Sequence, residues 1–150
     1  METAERIARP LGLEVQVEPL LIEINAGLFQ GYLRSELAQF YPEEMARWRS
    51  GDPDYPMPGG ESRRDLMRRG LAAFKTLAAR GHEQVVVVSH GGLLAAAFKA
   101  LLDIPAERNP FLLDNASISR LGITDGQVWL HSLNEVEHLR EFGPSGTGEL

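Results

Sequence analysis

Residues 85–92 (VVVVSHGG) constrain this chain more than any other stretch, because four β-branched residues run straight into a serine, a histidine and two glycines. Four consecutive valines favour a strand buried on both faces. Residues 93–102 (LLAAAFKALL) read as a well-packed helix directly after the glycines. His90 then falls at the carboxyl end of a strand, where open α/β sheets bind their ligands. The first N–H groups of the following helix can hold an anion there, and Gly91 and Gly92 let the backbone approach it closely. The same junction is common in α/β domains, where a histidine can also do no more than satisfy local hydrogen bonds.

At 150 residues the chain has the size of one domain, and a fold of that length buries roughly 68–70% of its unfolded-chain surface. A net charge of −6, no Lys/Arg tract and few, scattered aromatic residues argue against a nucleic-acid partner. The absence of cysteine excludes disulfides and thiolate metal sites. No 18-residue apolar span and no signal-peptide pattern occur, so the expectation is a soluble cytoplasmic protein with no membrane partner.

Hydrophobic periodicity predicts helices over residues 2–8, 42–49, 61–80 and 93–102, with Gly81 placed to cap the third. Short strands are expected at 14–18 and 85–88. Residues 117–123 and 127–131 should form a hairpin around Asp125-Gly126. Residues 50–60 (SGDPDYPMPGG) hold three prolines and three glycines, which makes them an irregular loop and the best candidate for a lid. These elements define one domain over 1–142 and a mobile tail over 143–150. The fold class is α/β, a three-layer sandwich with a mostly parallel central sheet flanked by helices. That sheet looks one strand short, since only residues 14–18 offer the central valine strand a parallel neighbour.

His90 needs a proton-carrying partner, and the best candidate is Glu23, placed directly after an apolar run and before the glycine-bearing loop at Gly27. Desolvation at such an edge would raise the pKa of a carboxyl, as a general acid near neutral pH requires. A plain surface glutamate at a strand end is the competing reading. Between residues 47 and 69 six arginines face four acidic residues, a local excess of +2 in an acidic chain. Arginine forks suit phosphate and carboxylate groups, and Arg68 is the preferred candidate among them, against the alternative of a solvated helix face. An α/β-hydrolase reading of His-Gly-Gly fails, because no G-x-S-x-G occurs. The four histidines also lack metal-ligand spacing.

Several segments, in order and spacing, together resemble the histidine phosphatase superfamily, the phosphoglycerate mutase-like phosphatases. Residues 21–31 resemble its L-x-E-x-x-x-G-x-x-x-G loop, and Pro58-Gly59-Gly60-Glu61-Ser62 resembles the P-G-G-E-S that opens its substrate-side helix. Residues 88–92 (VSHGG) resemble the segment with its second active-site histidine. Residues 1–8 resemble its T-A-E-x-I-A helix, and 111–119 (FLLDNASIS) its f-x-l-x-N-x-s-i segment. The resemblance implies hydrolysis of a small phosphate monoester through a phosphohistidine, without metal or cofactor. It makes Glu23 the general acid, His90 the stabiliser of the phosphoryl oxygens and Gly91 a phosphate-binding position.

The chain departs from that family at the nucleophile, because no Arg-His-Gly occurs in its 150 residues. His82, His131 and His138 stand in other contexts. Many relatives carry an arginine in the helix after the second histidine, where this chain has Leu94, Ala95 and Ala96, which counts against mutase-like recognition of a second anion. The resemblance therefore implies an amino-terminal truncation that removes the R-H-G strand, the same strand the central sheet lacks. An uncovered strand edge then predicts pairing with another copy, a homodimer, or instability. Losing one member of a catalytic unit costs roughly 10⁴ to 10⁶-fold, so the 150 residues alone should be nearly inactive. The alternative is a non-catalytic module that binds phosphate esters.

Overall fold

A computed structural model describes residues 1–142, and the expected tail at 143–150 lies outside the described residues. In chain order these form α1 (Glu2–Leu11), α2 (Arg34–Phe40), α3 (Pro42–Arg49), α4 (Arg63–Ala79), α5 (Gly91–Leu101), β1 (Ile118–Thr124) and β2 (Gln127–Glu135). Short 3₁₀ turns occupy Pro19–Leu21, Gly27–Phe29 and Glu137–Phe142.

Local chemistry sets the helix ends. α1 runs three residues past the expected 2–8 and stops where Gly12 takes the left-handed conformation, φ 67°, with its N–H on the Ala8 and Arg9 carbonyls. α4 starts after Ser62, whose hydroxyl accepts from Asp65 N at 3.1 Å while the Asp65 carboxylate accepts from Ser62 N at 3.3 Å. That reciprocal cap places the start two residues later than hydrophobic spacing alone predicts. α2 was not expected; its first turn is held by Glu36, whose carboxylate accepts from Leu33 N at 2.7 Å.

α4 and α5 form the central packing unit. They approach closely at Gly70, where an added Cβ would lie 2.9 Å from the Ala97 Cβ. Around this crossing Phe74, Phe98 and Phe111 stack edge to face, with ring centroids 6.3 and 6.0 Å apart. A second cluster of Phe29, Leu37, Met45 and Met57 joins the loop after Glu23 to α2, α3 and the 50–60 segment. Lys99 is buried in α5 and donates its ammonium to the Ala106 carbonyl at 2.9 Å, and burial pushes its pKa down.

The expected hairpin forms around Asp125 and Gly126, both at positive φ (50° and 78°), the signature of a tight type I′ turn. Its pairing moves from Ile118↔Glu135 to Arg120↔Ser132 and then to Leu121↔Leu130, so β2 carries two extra residues as bulges.

The three-layer, mostly parallel sheet is where the structure departs from expectation. Among the described residues the sheet has two antiparallel strands, β1 and β2. Among the described residues, 85–88 and 14–18 are unpaired, and no backbone hydrogen bond joins 85–89 to another segment. Val85 and Val86 are 43% and 59% exposed. β-branched side chains favour strand conformation, but a strand also needs a neighbouring backbone to bond. The α/β class stands, as helices packed with a β-hairpin. No helix among the described residues is long and apolar enough to cross a membrane.

Candidate active site

Three segments far apart in sequence meet at the amino end of α5. Glu23 reaches it from the first loop: one carboxylate oxygen accepts from Gly92 N at 3.2 Å and the other from Ile24 N at 2.8 Å. Gly92 must be glycine for this contact, since an added Cβ would sit 2.7 Å from the carboxylate. His90 is the residue before α5, with extended backbone (φ −113°, ψ 152°), and it is exposed. Ser89, next to it, donates its hydroxyl to the Leu21 carbonyl at 2.7 Å, tying the His90 segment to the stretch that leads to Glu23. Gly91 lies on the other flank, where an added Cβ would be 3.7 Å from the Leu113 carbonyl. The Glu23 carboxylate is thus brought to the same helix end as His90, Gly91 and Gly92.

The Glu23 loop is clamped from below by the P-G-G-E-S segment. Leu28 N donates to Pro58 O and Glu61 N to Asn25 O, both at 2.9 Å, while Asn25 N donates to the Glu61 carboxylate at 2.8 Å. The backbones approach so closely that a Cβ on Gly27 would fall 2.2 Å from Pro58 O, and one on Gly60 would fall 2.2 Å from Asn25 O.

Arg69 completes the clamp. Its guanidinium donates to the carbonyls of Leu20, Ile22 and Glu23 at 2.9, 2.7 and 3.1 Å, and to both Glu61 oxygens at 2.8 Å. The fork thereby fixes the backbone on which Glu23 rides. Arg68, the arginine preferred from sequence, is elsewhere: it is 70% exposed and pairs with Asp65 at 3.0 Å, with no hydrogen bond to Glu23 or His90. The signal that separates the two is helical phase. Arg69 shares a stripe with buried Leu66, Gly70 and Ala73, and Arg68 falls outside it.

Three other arginines of that stretch, Arg47, Arg63 and Arg64, are engaged in local contacts. Arg47 lies 4.2 Å over the Tyr55 ring, and Arg63 lies 3.7 Å over the Trp48 ring while donating to the Trp48 carbonyl. Arg64 pairs with Asp54, which holds that carboxyl below its usual range. These contacts correct the expectation of a lid at 50–60. Pro53, Tyr55 and Met57 are buried, and Arg64 N donates to Pro53 O at 2.9 Å, so the segment is a packed wall.

The Arg69 guanidinium beside Glu61, helped by Asn25 N–H, holds the Glu61 carboxyl below the ordinary value of 4.5. A carboxyl depressed by folding contributes stability above its unfolded pKa and loses it as pH falls through the folded one. Urea midpoints are therefore expected to drop as pH falls below about 4.5. Asp54, Asp65 and Glu135 are depressed too and add to that slope. Glu61→Gln should flatten it measurably, and an unchanged slope would remove Glu61 from this account.

The sequence pattern of the histidine phosphatase superfamily (branch 1) matches residues 1–136. A helical α/β frame with a carboxylate and a histidine at one helix amino end fits that match, and this chain belongs to the histidine phosphatase superfamily. It is 34% identical over 142 residues to phosphoserine phosphatase 1 of Hydrogenobacter thermophilus, covering 93% of this chain and 67% of the relative. It is likewise 34% identical over 131 residues to glucosyl-3-phosphoglycerate phosphatase of Mycobacterium tuberculosis, covering 80% and 58%. The chain thus spans roughly three fifths to two thirds of these relatives' lengths. Among solved structures, native mycobacterial glucosyl-3-phosphoglycerate phosphatase superposes with a TM-score of 0.76 at 32% identity, over 89% of this chain and 71% of that one. Bacillus stearothermophilus YhfR gives 0.82 at 24% identity, over 92% and 70%, a likeness of fold.

Proposed function

We propose that this chain carries the acid and the second histidine of a phosphomonoesterase site for small phosphate monoesters. The observation that carries the reading is Glu23 seated on Gly92 N–H at 3.2 Å, two residues after His90 at the amino end of α5. A phosphoryl group against that end meets backbone N–H donors and the His90 imidazole as negative charge grows on its oxygens. Glu23 then gives its proton to the leaving alkoxide as the P–O bond breaks. The phosphorus passes to a histidine ring nitrogen, and water releases it as inorganic phosphate and frees the imidazole. The matches to a phosphoserine phosphatase and a glucosyl-3-phosphoglycerate phosphatase support a small monoester as substrate.

In this reading the accepting histidine comes from chain outside these 150 residues, because they contain no Arg-His-Gly. The unpaired, exposed valines at 85–86 support the reading, since a further strand laid there would cover them and bond their backbone, a step toward the three-layer parallel sheet. A second copy is the other occupant that edge could take, and light scattering distinguishes a monomer from a homodimer. The non-catalytic reading, a module that binds phosphate esters, rests on the same missing motif. Upstream DNA decides between them: an in-frame Arg-His-Gly favours the enzyme, and a stop codon before any such motif favours the module.

The anion site itself is tested on the 150 residues. Vanadate binding, followed by amide and imidazole NMR signals, is expected, with His90→Ala weakening it about tenfold, the worth of one charge-assisted hydrogen bond. Failure to bind vanadate would remove the site. Turnover of p-nitrophenyl phosphate with a trapped phosphohistidine would overturn the missing nucleophile.

A further inference from the structure

Two residues with left-handed backbone sit behind the His90 flank of the site, Ala116 at φ 60° in the 113–117 loop and Asn134 in β2. Asn134, at a bulge of β2, has φ 54°, a left-handed conformation that asparagine tolerates better than most residues. The bulge turns its amide toward the 113–117 loop. Its side-chain oxygen accepts from Asp114 N at 2.8 Å, and its side-chain nitrogen donates to the Asp114 carboxylate at 3.0 Å. Its own backbone N–H is taken by the Ser119 hydroxyl at 3.1 Å. Asn134 and Asp114 are both half-buried. The residue before Asp114 is Leu113, whose carbonyl lies beside Gly91. A second tie holds the far side of the same loop, where the His138 ring meets the Ala116 carbonyl at 3.0 Å.

We propose that Asn134 is a positioning residue: with Asp114 it fixes the 113–117 loop against Gly91 and so sets the geometry of the amino end of α5 toward a phosphoryl group. This rests on the reading of that end as the phosphoryl site. On the opposite flank Glu23 bonds Gly92 N–H, while the Leu113 carbonyl lies near Gly91 on this one, so independent parts of the chain border the two glycines. Strain is kept at Asn134 and at Ala116, one on each segment that the reciprocal Asn134–Asp114 pair joins, which fits a role in positioning the 113–117 loop as well as in closing the hairpin.

The test uses ¹⁵N-labelled 150-residue protein, vanadate as the probe, and Asn134→Gly, which relaxes the positive φ while deleting the amide. Vanadate affinity is expected to fall about three- to tenfold, the range of one or two hydrogen bonds, with thermal stability near the parent's. Asp114→Asn, which keeps an oxygen for the Asn134 amide, is expected to stay within twofold of the parent. Unchanged vanadate affinity in Asn134→Gly would reduce the pair to a structural latch and overturn the proposal. Should that variant fail to fold, Asp114→Ala removes the carboxylate partner alone and is read by the same criterion. If the parent protein itself binds no vanadate, the phosphoryl-site reading fails separately. The Gly91 and Gly92 amide signals then decide the positioning: displaced in the variant they support it, and unmoved they overturn it.

Discussion

Gly60→Ala is expected to lower stability by about 3 kcal/mol or more, at the upper end of what overpacking costs. The new Cβ would lie 2.2 Å from Asn25 O and 2.8 Å from Gly27 N. Both are backbone atoms, so no rotamer change can relieve the overlap, and the Glu23 loop must lift off the P-G-G-E-S segment. Gly27→Ala meets Pro58 O at the same 2.2 Å and adds the strain of φ 48°. Gly59→Ala is the control between them in sequence. It has φ 73° but open space around it, so it should cost only about 1 kcal/mol, the price of a left-handed alanine. Urea unfolding of the three variants checks the order, and Gly60→Ala no worse than Gly59→Ala would sink the close-approach account. Because residues 27 and 60 oppose each other across one contact, the double variant should destabilise by less than the sum of the singles.

Arg69→Ala should come close behind, at about 3 kcal/mol, the low end for breaking a buried pair by removing one partner. The low end applies because Arg69 and Glu61 side chains are 14% and 22% exposed, so water reaches the groups left behind. Three carbonyls lose a donor at once, and Glu61 loses its counter-charge. Arg69→Lys is expected to recover little, since a single ammonium cannot span the Leu20, Ile22 and Glu23 carbonyls and a carboxylate together. Arg68→Ala, one residue away and pairing in water with Asp65, should change stability by under about 1 kcal/mol. Equal effects at 68 and 69 in urea unfolding would refute the clamp.

These two variants also mark the boundary of what the sequence made legible. The Glu23 loop, the P-G-G-E-S segment and His90-Gly91-Gly92 could each be read as a motif, because each needs particular residue types at short, fixed spacing. The hairpin was legible for the same reason, with Asp125-Gly126 demanding positive φ between alternating strands. The clamp by Arg69 was not legible, because charge and position in a cluster say nothing of which way a helix faces; the apolar stripe on α4 does, through Leu66, Gly70 and Ala73. The supposed lid failed because prolines and glycines report irregular backbone, and it is Tyr55 under Arg47 and buried Met57 that make the segment a wall.

Sequence alone determined the family, four of the five helices and the hairpin, since local propensity and short-range spacing carry that information. Tertiary structure alone decided that Glu23 rests on Gly92, that Arg69 holds the loop beneath it, and that residues 85–88 are unpaired among the described residues. The first two depend on a partner tens of residues away, and the third on the lack of one among the described residues. A residue's own chemistry specifies which hydrogen bonds it can make, and only the folded chain supplies the group that makes them.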